Sequence, residues 1–392
     1  LRDFDVVVAG GGCAGLWAAA VASGCGARTL VVEREAEIGS RIRCAEGVGN
    51  AGISQFLTLE EDWVAARVNG GSFCSPDGNV VDAEEPGCGF ILHKSLFLKG
   101  LARKAEESGA EVMTGGAVVG LKPPGKGGFE VELGPNGRGP RTVTCGAVVA
   151  ADGIESGVAR MTGVDTHLAP RDVFCCAQYT VSGIDARPDL VEFHFGNEIA
   201  PGGYAWVFPK GEGKANVGVG VTVRDGRGRP SDYLMAFAAT RCPGARVERR
   251  TAGGVPAVRK PPGAFHGGLF LAGDAGRMAD PISGAGIVPA LESGALSGEY
   301  AALYALGGED PLEIERRFAS KYSDLLKNRR VRFALKKIFT GLTDREFSRV
   351  VALIGEFSRT GGSLDRERGR LVKYFMKSMP RNFGMLRHLV GI

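Results

Sequence analysis

Three short strings in this 392-residue chain carry residues spaced for nucleotide chemistry. The first, Gly10-Gly11-Gly12-Cys13-Ala14-Gly15, follows the pattern G-x-G-x-x-G, and Glu33 lies 18 residues after Gly15. Gly10 permits a tight turn, Gly12 lets a pyrophosphate reach the backbone, and Gly15 allows close helix–strand packing. An acid placed as Glu33 is accepts hydrogen bonds from ribose hydroxyls. The second string is Asp152-Gly153, after the apolar run Ala147–Ala151. The third is Gly273-Asp274-Ala275, with Gly284-Ala285-Gly286-Ile287 just behind it. A carboxylate at a strand end, as Asp274 would be, can accept from a ribityl hydroxyl. Gly284 and Gly286 open a helix at Val288 whose positive end suits the electron-rich edge of a flavin ring. A nicotinamide enzyme has no need of that second cradle, so the cofactor these strings predict is FAD.

The elements that must hold these strings are legible around them. Asp5–Ala9 reads as a strand, Leu16–Ala22 as a helix and Thr29–Glu33 as a second strand. A helix is expected over Ser95–Ser108, from apolar Leu96, Phe97, Leu101 and Ala105, and another over Val288–Leu306. Short strands are expected within 111–145, and Leu57–Val68 reads as helical. From about 165 to 262 strands dominate, with one helix near Ser231–Thr240. The predicted class is α/β: a doubly wound, Rossmann-like FAD-binding domain, an inserted antiparallel-sheet substrate domain and a C-terminal helical region. The expected division assigns 1–69, 92–164 and 265–310 to the FAD domain, 70–91 with 165–264 to the substrate domain, and 311–392 to the basic helical region. No second G-x-G-x-x-G is present, since Gly218-x-Gly220 lies mid-strand and lacks the third glycine. Electrons must then come from docking NAD(P)H or from a small protein such as reduced ferredoxin.

Bulk properties fit a globular enzyme. Apolar content is 44% and charged content 23%, and the net charge is only +4. The charge is uneven: from Glu313 to Ile392 there are 19 Lys and Arg against 8 Asp and Glu. Within that tail, Lys321–Phe339 mixes basic and apolar residues, as would either a helix lying on an anionic membrane or an ordinary solvated helix packed on the FAD domain. Nine cysteines without a C-x-x-C or a zinc spacing indicate free thiols in a reducing compartment. No signal peptide and no 18-residue apolar span is visible, so the expected location is cytoplasmic, with peripheral membrane contact through the basic run. Five histidines, at 93, 167, 194, 266 and 388, form no triad or metal spacing. Neither a metal nor a nucleic-acid partner is expected.

With the three strings in order, the chain resembles flavoproteins of the p-hydroxybenzoate hydroxylase type over roughly residues 1–306. Two further strings narrow the resemblance. Arg43-Cys44-Ala45-Glu46-Gly47 is similar to the R-C-x-E-G loop of geranylgeranyl reductases, and Tyr204-Ala205-Trp206-Val207-Phe208-Pro209-Lys210-Gly211 is similar to their Y-x-W-x-F-P-K-G signature. The chain departs from the pattern at Lys94, where the wider group has Arg, and at Arg41, where family members often have Pro. The resemblance implies reduction of isolated double bonds in a prenyl chain carried on a lipid, diphosphate or quinone. It adds Ala14, Arg34, Arg43, Cys44, Ala45, Gly47, Lys94 and Val118 to the cofactor contacts. It makes Cys44, Glu46 and Tyr204 the candidate catalytic groups. Tyr204, Trp206 and Phe208 alternate on one strand face and become the substrate wall; on spacing alone the same stripe reads as sheet core. Free Cys is more often a small buried hydrophobe, and an acid placed as Glu46 is more often a loop surface charge. An aromatic monooxygenase or a halogenase shares the fold and is the alternative enzyme, and a non-catalytic flavin or lipid binder is the alternative outside enzymes.

Overall fold

Val6–Ala9, Ala147–Ala150 and Leu269–Leu271 are fully buried runs of small or branched apolar residues, which suits strands covered on both faces. In the computed structural model, which describes residues 2–125, 128–134, 139–222 and 228–360, they are neighbours in one six-stranded sheet. The order is Phe265–His266, Leu269–Leu271, Ala147–Ala150, Val6–Ala9, Thr29–Val32, Glu111–Met113. Only the Phe265–His266 edge runs antiparallel to its neighbour. Ala9 stands opposite Ala150, and Ala150 opposite Leu271. The three nucleotide strings therefore leave the carboxyl ends of three adjacent parallel strands, which is where ligands of doubly wound sheets bind.

Two helices pack closely here for a reason the sequence reading missed. Helix Ile287–Leu306 presents Gly294 and Gly298 to helix Cys13–Gly24. A Cβ at these positions would lie 3.1 Å from the Cα of Ala14 and 2.9 Å from that of Ala18. Glycines four apart on one face let the two backbones approach. On the other side of the sheet, a three-stranded meander, Val118–Gly125, Gly128–Leu133 and Arg141–Cys145, buries Phe129, Val131, Leu133 and Val143 in the core.

The chain divides into two compact units: Leu1–Ile42 with Lys94–Leu168 and Pro256–Arg329, and Arg43–His93 with Ala169–Val255 and Arg330–Ile392. The bounds differ from the expected ones. Residues 43–69 and 92–93 fall in the second unit, 165–168 and 256–264 in the first, and the basic C-terminal region is split after Arg329. The stretch 361–392 of that region, His388 included, lies outside the described residues, as does Val223.

The second unit is built on an eight-stranded sheet. Its order is Arg246–Pro256, Val173–Ser182, Lys214–Thr222, Tyr204–Pro209, Val191–His194, Val64–Cys74, Val80–Leu92, Gly47–Gly49. Residues 57–68, expected as a helix, instead pass through the short 3-10 turn Glu61–Trp63 and enter the long strand Val64–Cys74. Partners on both sides, Val80–Leu92 and Val191–His194, satisfy this backbone as a strand and override local preference. One sheet face packs Ala177, Ala205, Val207, Val217 and Val219 on Leu234 and Phe237 of helix Pro230–Arg241.

The basic run Lys321–Phe339 is not one helix. Helix Pro311–Leu325 ends, and Arg329–Phe339 begins after a turn. Two of its cations are buried. Arg329 donates to the carbonyls of Val258 (3.2 Å) and Ala279 (3.3 Å), and Lys336 to that of Arg171 (3.3 Å), with the Phe174 ring 4.9 Å away. Lys321, Lys327, Arg330 and Lys337 remain exposed. Among the described residues no helix is long and apolar enough to cross a membrane.

Candidate functional site

The first unit offers a nucleotide cradle at the three strand ends. Gly10 turns with φ +111°, and a Cβ there would lie 2.9 Å from the Ala151 carbonyl carbon. A Cβ at Gly15 would overlap the Gly10 carbonyl oxygen. Those two glycines are required by the protein's own packing. Gly12 is not: its backbone is extended and, among the described residues, nothing lies within 4 Å of its Cβ position. It opens helix Cys13–Gly24, whose first turn has no side-chain cap, so Ala14 and Gly15 sit at an N-terminus with donors available to an anion. Glu33 is fixed beside it, accepting from Gly11 N–H at 2.5 Å and Glu35 N–H at 2.8 Å, with lone pairs remaining for a ribose diol. Arg34 lies 3.5 Å from Glu155 in an exposed pair, and Val118 begins the strand Val118–Gly125.

At the second string, Asp152 accepts from Val158 N–H at 3.0 Å through Oδ2, and Gly153 takes φ +79°. The other oxygen, Oδ1, is buried with no hydrogen-bond partner among the described residues. Burial raises the Asp152 carboxyl above its ordinary range, against backbone donors that lower it. At the third string, burial likewise raises Asp274, while the charges of Lys94, Arg277 and Arg329 pull it back. Lys94 opens helix Lys94–Glu107, so the fold brings this expected phosphate contact into the field of Asp274. Gly284 takes φ +70°, Gly286 is the N-cap of the helix beginning at Ile287, and a Cβ at Gly286 would stand 4.0 Å from Asp274 Oδ1. Sequence reasoning missed Arg277. Buried and left-handed at φ +61°, it donates to the carbonyls of Ile154 (2.7 Å), Asp274 (2.9 Å) and Thr166, and so ties the second string to the third. The open space over Gly12, the uncapped helix start and the orphaned oxygen of Asp152 fit a bound FAD.

The second unit carries the other expected residues on one sheet face, opposite the face that packs on helix Pro230–Arg241. Tyr204, Trp206 and Phe208 project there together, and Phe193 and Phe73 extend the row across two more strands. Ring centroids are 5.9 Å apart for Tyr204–Trp206, 5.6 Å for Tyr204–Phe193, 5.7 Å for Phe193–Phe208 and 5.6 Å for Phe73–Phe193. The Trp206 indole lies across its cross-strand partner Gly218, where a Cβ would be 2.5 Å from Cε2. Gly218, read as an incomplete nucleotide motif, is the hollow that accepts this ring.

The loop Arg43–Gly47 is held against the same face. Arg43 lies beside Gly253. The Cys44 carbonyl accepts from Gln178 Nε2 at 3.1 Å, and the Cys44 sulfur from Glu46 N–H at 3.2 Å. Asn216 Nδ2 donates to the Ala45 carbonyl at 3.2 Å and to Glu46 Oε2 at 2.6 Å. A Cβ on Gly47 would press on the Phe208 ring at 3.0 Å. Glu46 is no surface charge: it is 2% exposed and ion-paired with Lys210, which also donates to the Leu92 carbonyl at 3.1 Å. Its backbone is left-handed at φ +72°, rare for a residue with a side chain. Burial and the neighbouring Lys210 charge together hold His93 below the ordinary histidine range. Gln178, Lys210 and Asn216 were not singled out from sequence; only the Lys210 of the F-P-K-G string gave any signal.

Residues 172–255 match the geranylgeranyl reductase catalytic domain, and residues 5–69 an FAD binding domain. A digeranylgeranylglycerophospholipid reductase of Methanocella arvoryzae is 34% identical over 100% of this chain and 99% of its own length. The protein of that name from Methanosarcina acetivorans is 41% identical over 79% of this chain and 78% of its own. Among solved structures, a geranylgeranyl bacteriochlorophyll reductase-like protein from Thermoplasma acidophilum superposes with a TM-score of 0.88 at 29% identity, covering 98% of this chain and 99% of that one. The chain belongs to the geranylgeranyl reductase family and is an FAD-dependent oxidoreductase.

Proposed function

We propose that this protein saturates carbon–carbon double bonds of geranylgeranyl-type chains carried on a lipid. The observation that carries the reading is the aromatic row Tyr204, Trp206 and Phe208, on a sheet face whose other side is packed core and whose Phe73, Phe193 and Tyr204 end packs against Phe347 and Val351 of helix Asp344–Arg359. An isolated alkene has no carbonyl to polarise, and its reduction develops positive charge at the substituted carbon. Aromatic faces and a dry apolar wall stabilise such charge without offering a nucleophile.

The cofactor is proposed to rest on Gly10, Gly12, Ala14, Gly15 and Glu33 at its adenosine end, and on Lys94, Asp152, Asp274, Gly286 and Ile287 toward its flavin end. When bound and reduced, FAD supplies hydride. Within the protein, Tyr204, Trp206 and Phe208 orient the chain and exclude water. The proton for the second carbon is proposed to sit on Cys44 Sγ or Tyr204 Oη. Glu46, as a carboxylate already accepting from Lys210 and Asn216, serves to hold the loop that presents Cys44. The reductant is proposed to be NAD(P)H or a ferredoxin-like donor. Membrane contact, if made through helix Arg329–Phe339, falls to its exposed Arg330 and Lys337, because Arg329 and Lys336 are committed to internal carbonyls.

The test is anaerobic mixing of pre-reduced protein with geranylgeranyl lipids. The reading expects flavin to reoxidise in step with lipid that has gained two hydrogens per bond. Oxygen-dependent oxidation with a hydroxylated or halogenated product would replace it with the monooxygenase or halogenase reading.

A further inference from the structure

The aromatic wall and the Cys44 loop come from distant parts of the chain, yet one side chain touches both. Gln178 lies mid-strand in Val173–Ser182 and is 5% exposed. Its Oε1 accepts from the Trp206 indole Nε1–H at 3.2 Å, and its Nε2 donates to the Cys44 carbonyl at 3.1 Å. The direction is forced at both ends. An indole can only donate and a carbonyl can only accept, so the bridge needs one acceptor and one donor on the same short side chain. The Gln178 amide supplies both. One strand over, Asn216 repeats the device: Oδ1 accepts from Thr180 at 2.9 Å while Nδ2 donates to the Ala45 carbonyl. Two successive loop carbonyls are thus held by two amides on one sheet face, directly before the left-handed Glu46.

We infer that Gln178 is a positioning residue that couples the aromatic wall to the Cys44 loop: the Trp206 indole orients the Gln178 amide, and that amide fixes the Cys44 backbone. Gln178 carries no proton to the substrate in this account. Its hold on the loop stands on the geometry alone, and its effect on turnover rests on the reaction proposed above.

The test reads the loop directly. Holoenzyme is alkylated with iodoacetamide, and the rate at Cys44 is followed by peptide mass spectrometry against the exposed Cys25 as internal reference. Gln178→Glu keeps the size but turns an acceptor toward the Cys44 carbonyl, and Gln178→Leu removes both hydrogen bonds. Each is expected to raise the Cys44 rate about fivefold, the opening expected when one hydrogen bond's net contribution is lost. Trp206→Phe keeps the ring and the Cys44 bond but frees the amide, so a smaller rise is expected. In all three, flavin content and far-ultraviolet dichroism should stay wild-type, and in Gln178→Glu kcat should fall with KM nearly unchanged. An unchanged Cys44 rate in folded Gln178→Glu or Gln178→Leu overturns the inference, as does loss of fold in both, which would make Gln178 a general core residue. A Cys44 response in a protein that saturates no prenyl lipid leaves the coupling standing and removes the proposed reaction. Prenyl saturation with an unmoved Cys44 does the reverse.

Discussion

Replacing Gly218 by alanine should move the Trp206 ring and little else. The backbone at Gly218 is ordinary strand, so the substitution carries no conformational penalty. The new Cβ would lie 2.5 Å from Trp206 Cε2, closer still to Cζ2, and 3.0 Å from the Ala177 carbonyl oxygen. The carbonyl is ladder backbone and cannot yield. Ordinary contact begins near 3.4 Å, so the indole must shift by about 1 Å. That movement stretches the 3.2 Å bond from its N–H to Gln178. Overpacking of this kind costs about 1–3 kcal/mol, and a misplacement of about 1 Å at a reacting site lowers rate on the order of 100-fold. Gly220→Ala is the control. Its Cβ would meet Cys176 Sγ at 3.3 Å and Trp206 Cζ3 at 3.6 Å, which leaves the ring nearly in place. The assay is kcat/KM for prenyl saturation, with flavin content and melting temperature on the same samples. Gly218→Ala should lose activity while retaining FAD, and Gly220→Ala should stay near wild type. Equal activity in Gly218→Ala, or equal damage from Gly220→Ala, refutes the hollow-and-ring argument.

Gly12→Ala should fold and melt as wild type, because its Cβ meets nothing within 4 Å among the described residues, yet purify with little FAD; full flavin absorbance would remove Gly12 from the phosphate contacts. Tyr204→Phe separates shape from proton supply: turnover near wild type leaves the ring as wall, and a loss on the order of 100-fold assigns the proton to its hydroxyl. Glu192 binds His194 (2.8 Å) and Arg241 (2.7 Å) beneath helix Pro230–Arg241. Burial alone would raise its carboxyl, but those hydrogen bonds and charges outweigh it and lower it from 4.5 to about 2. The depressed value stabilises the fold above the unfolded pKa, and the contribution is lost as pH falls from 4.5 toward 2. Glu192→Gln should therefore cost about 3 kcal/mol at neutral pH, with the gap to wild type in denaturant titrations closing as pH falls through that window.

The cradle was legible because its requirements are local. Gly10 and Gly15 answer to backbone contacts within one strand–turn–helix unit, and strand runs such as Val6–Ala9 are apolar throughout because both faces are covered. The aromatic stripe was legible as a stripe, since residues two apart on a strand share a face. What covers that face was not. Nothing near Gln178 or Asn216 in sequence points to a loop more than a hundred residues earlier, and Gly218 is explained only by an indole on the neighbouring strand. Glu46 read as a loop charge because its partner Lys210 is distant in the chain. Residues 57–68 were misread because sheet partners, not local preference, decide their state. Composition likewise does not tell which cations of Lys321–Phe339 point inward, and Arg329 and Lys336 do.

The central claim, that the aromatic face works on a prenyl chain, is tested most directly by one single-turnover experiment. Wild-type protein and Trp206→Ala, both loaded with FAD and reduced without oxygen, are mixed with a geranylgeranyl lipid while flavin absorbance and lipid mass are followed together. The account predicts prompt reoxidation and saturated lipid with wild type, and reoxidation slower by on the order of 100-fold in the variant at equal flavin content. Flavin that stays reduced in wild type, or a variant as fast as wild type, contradicts it.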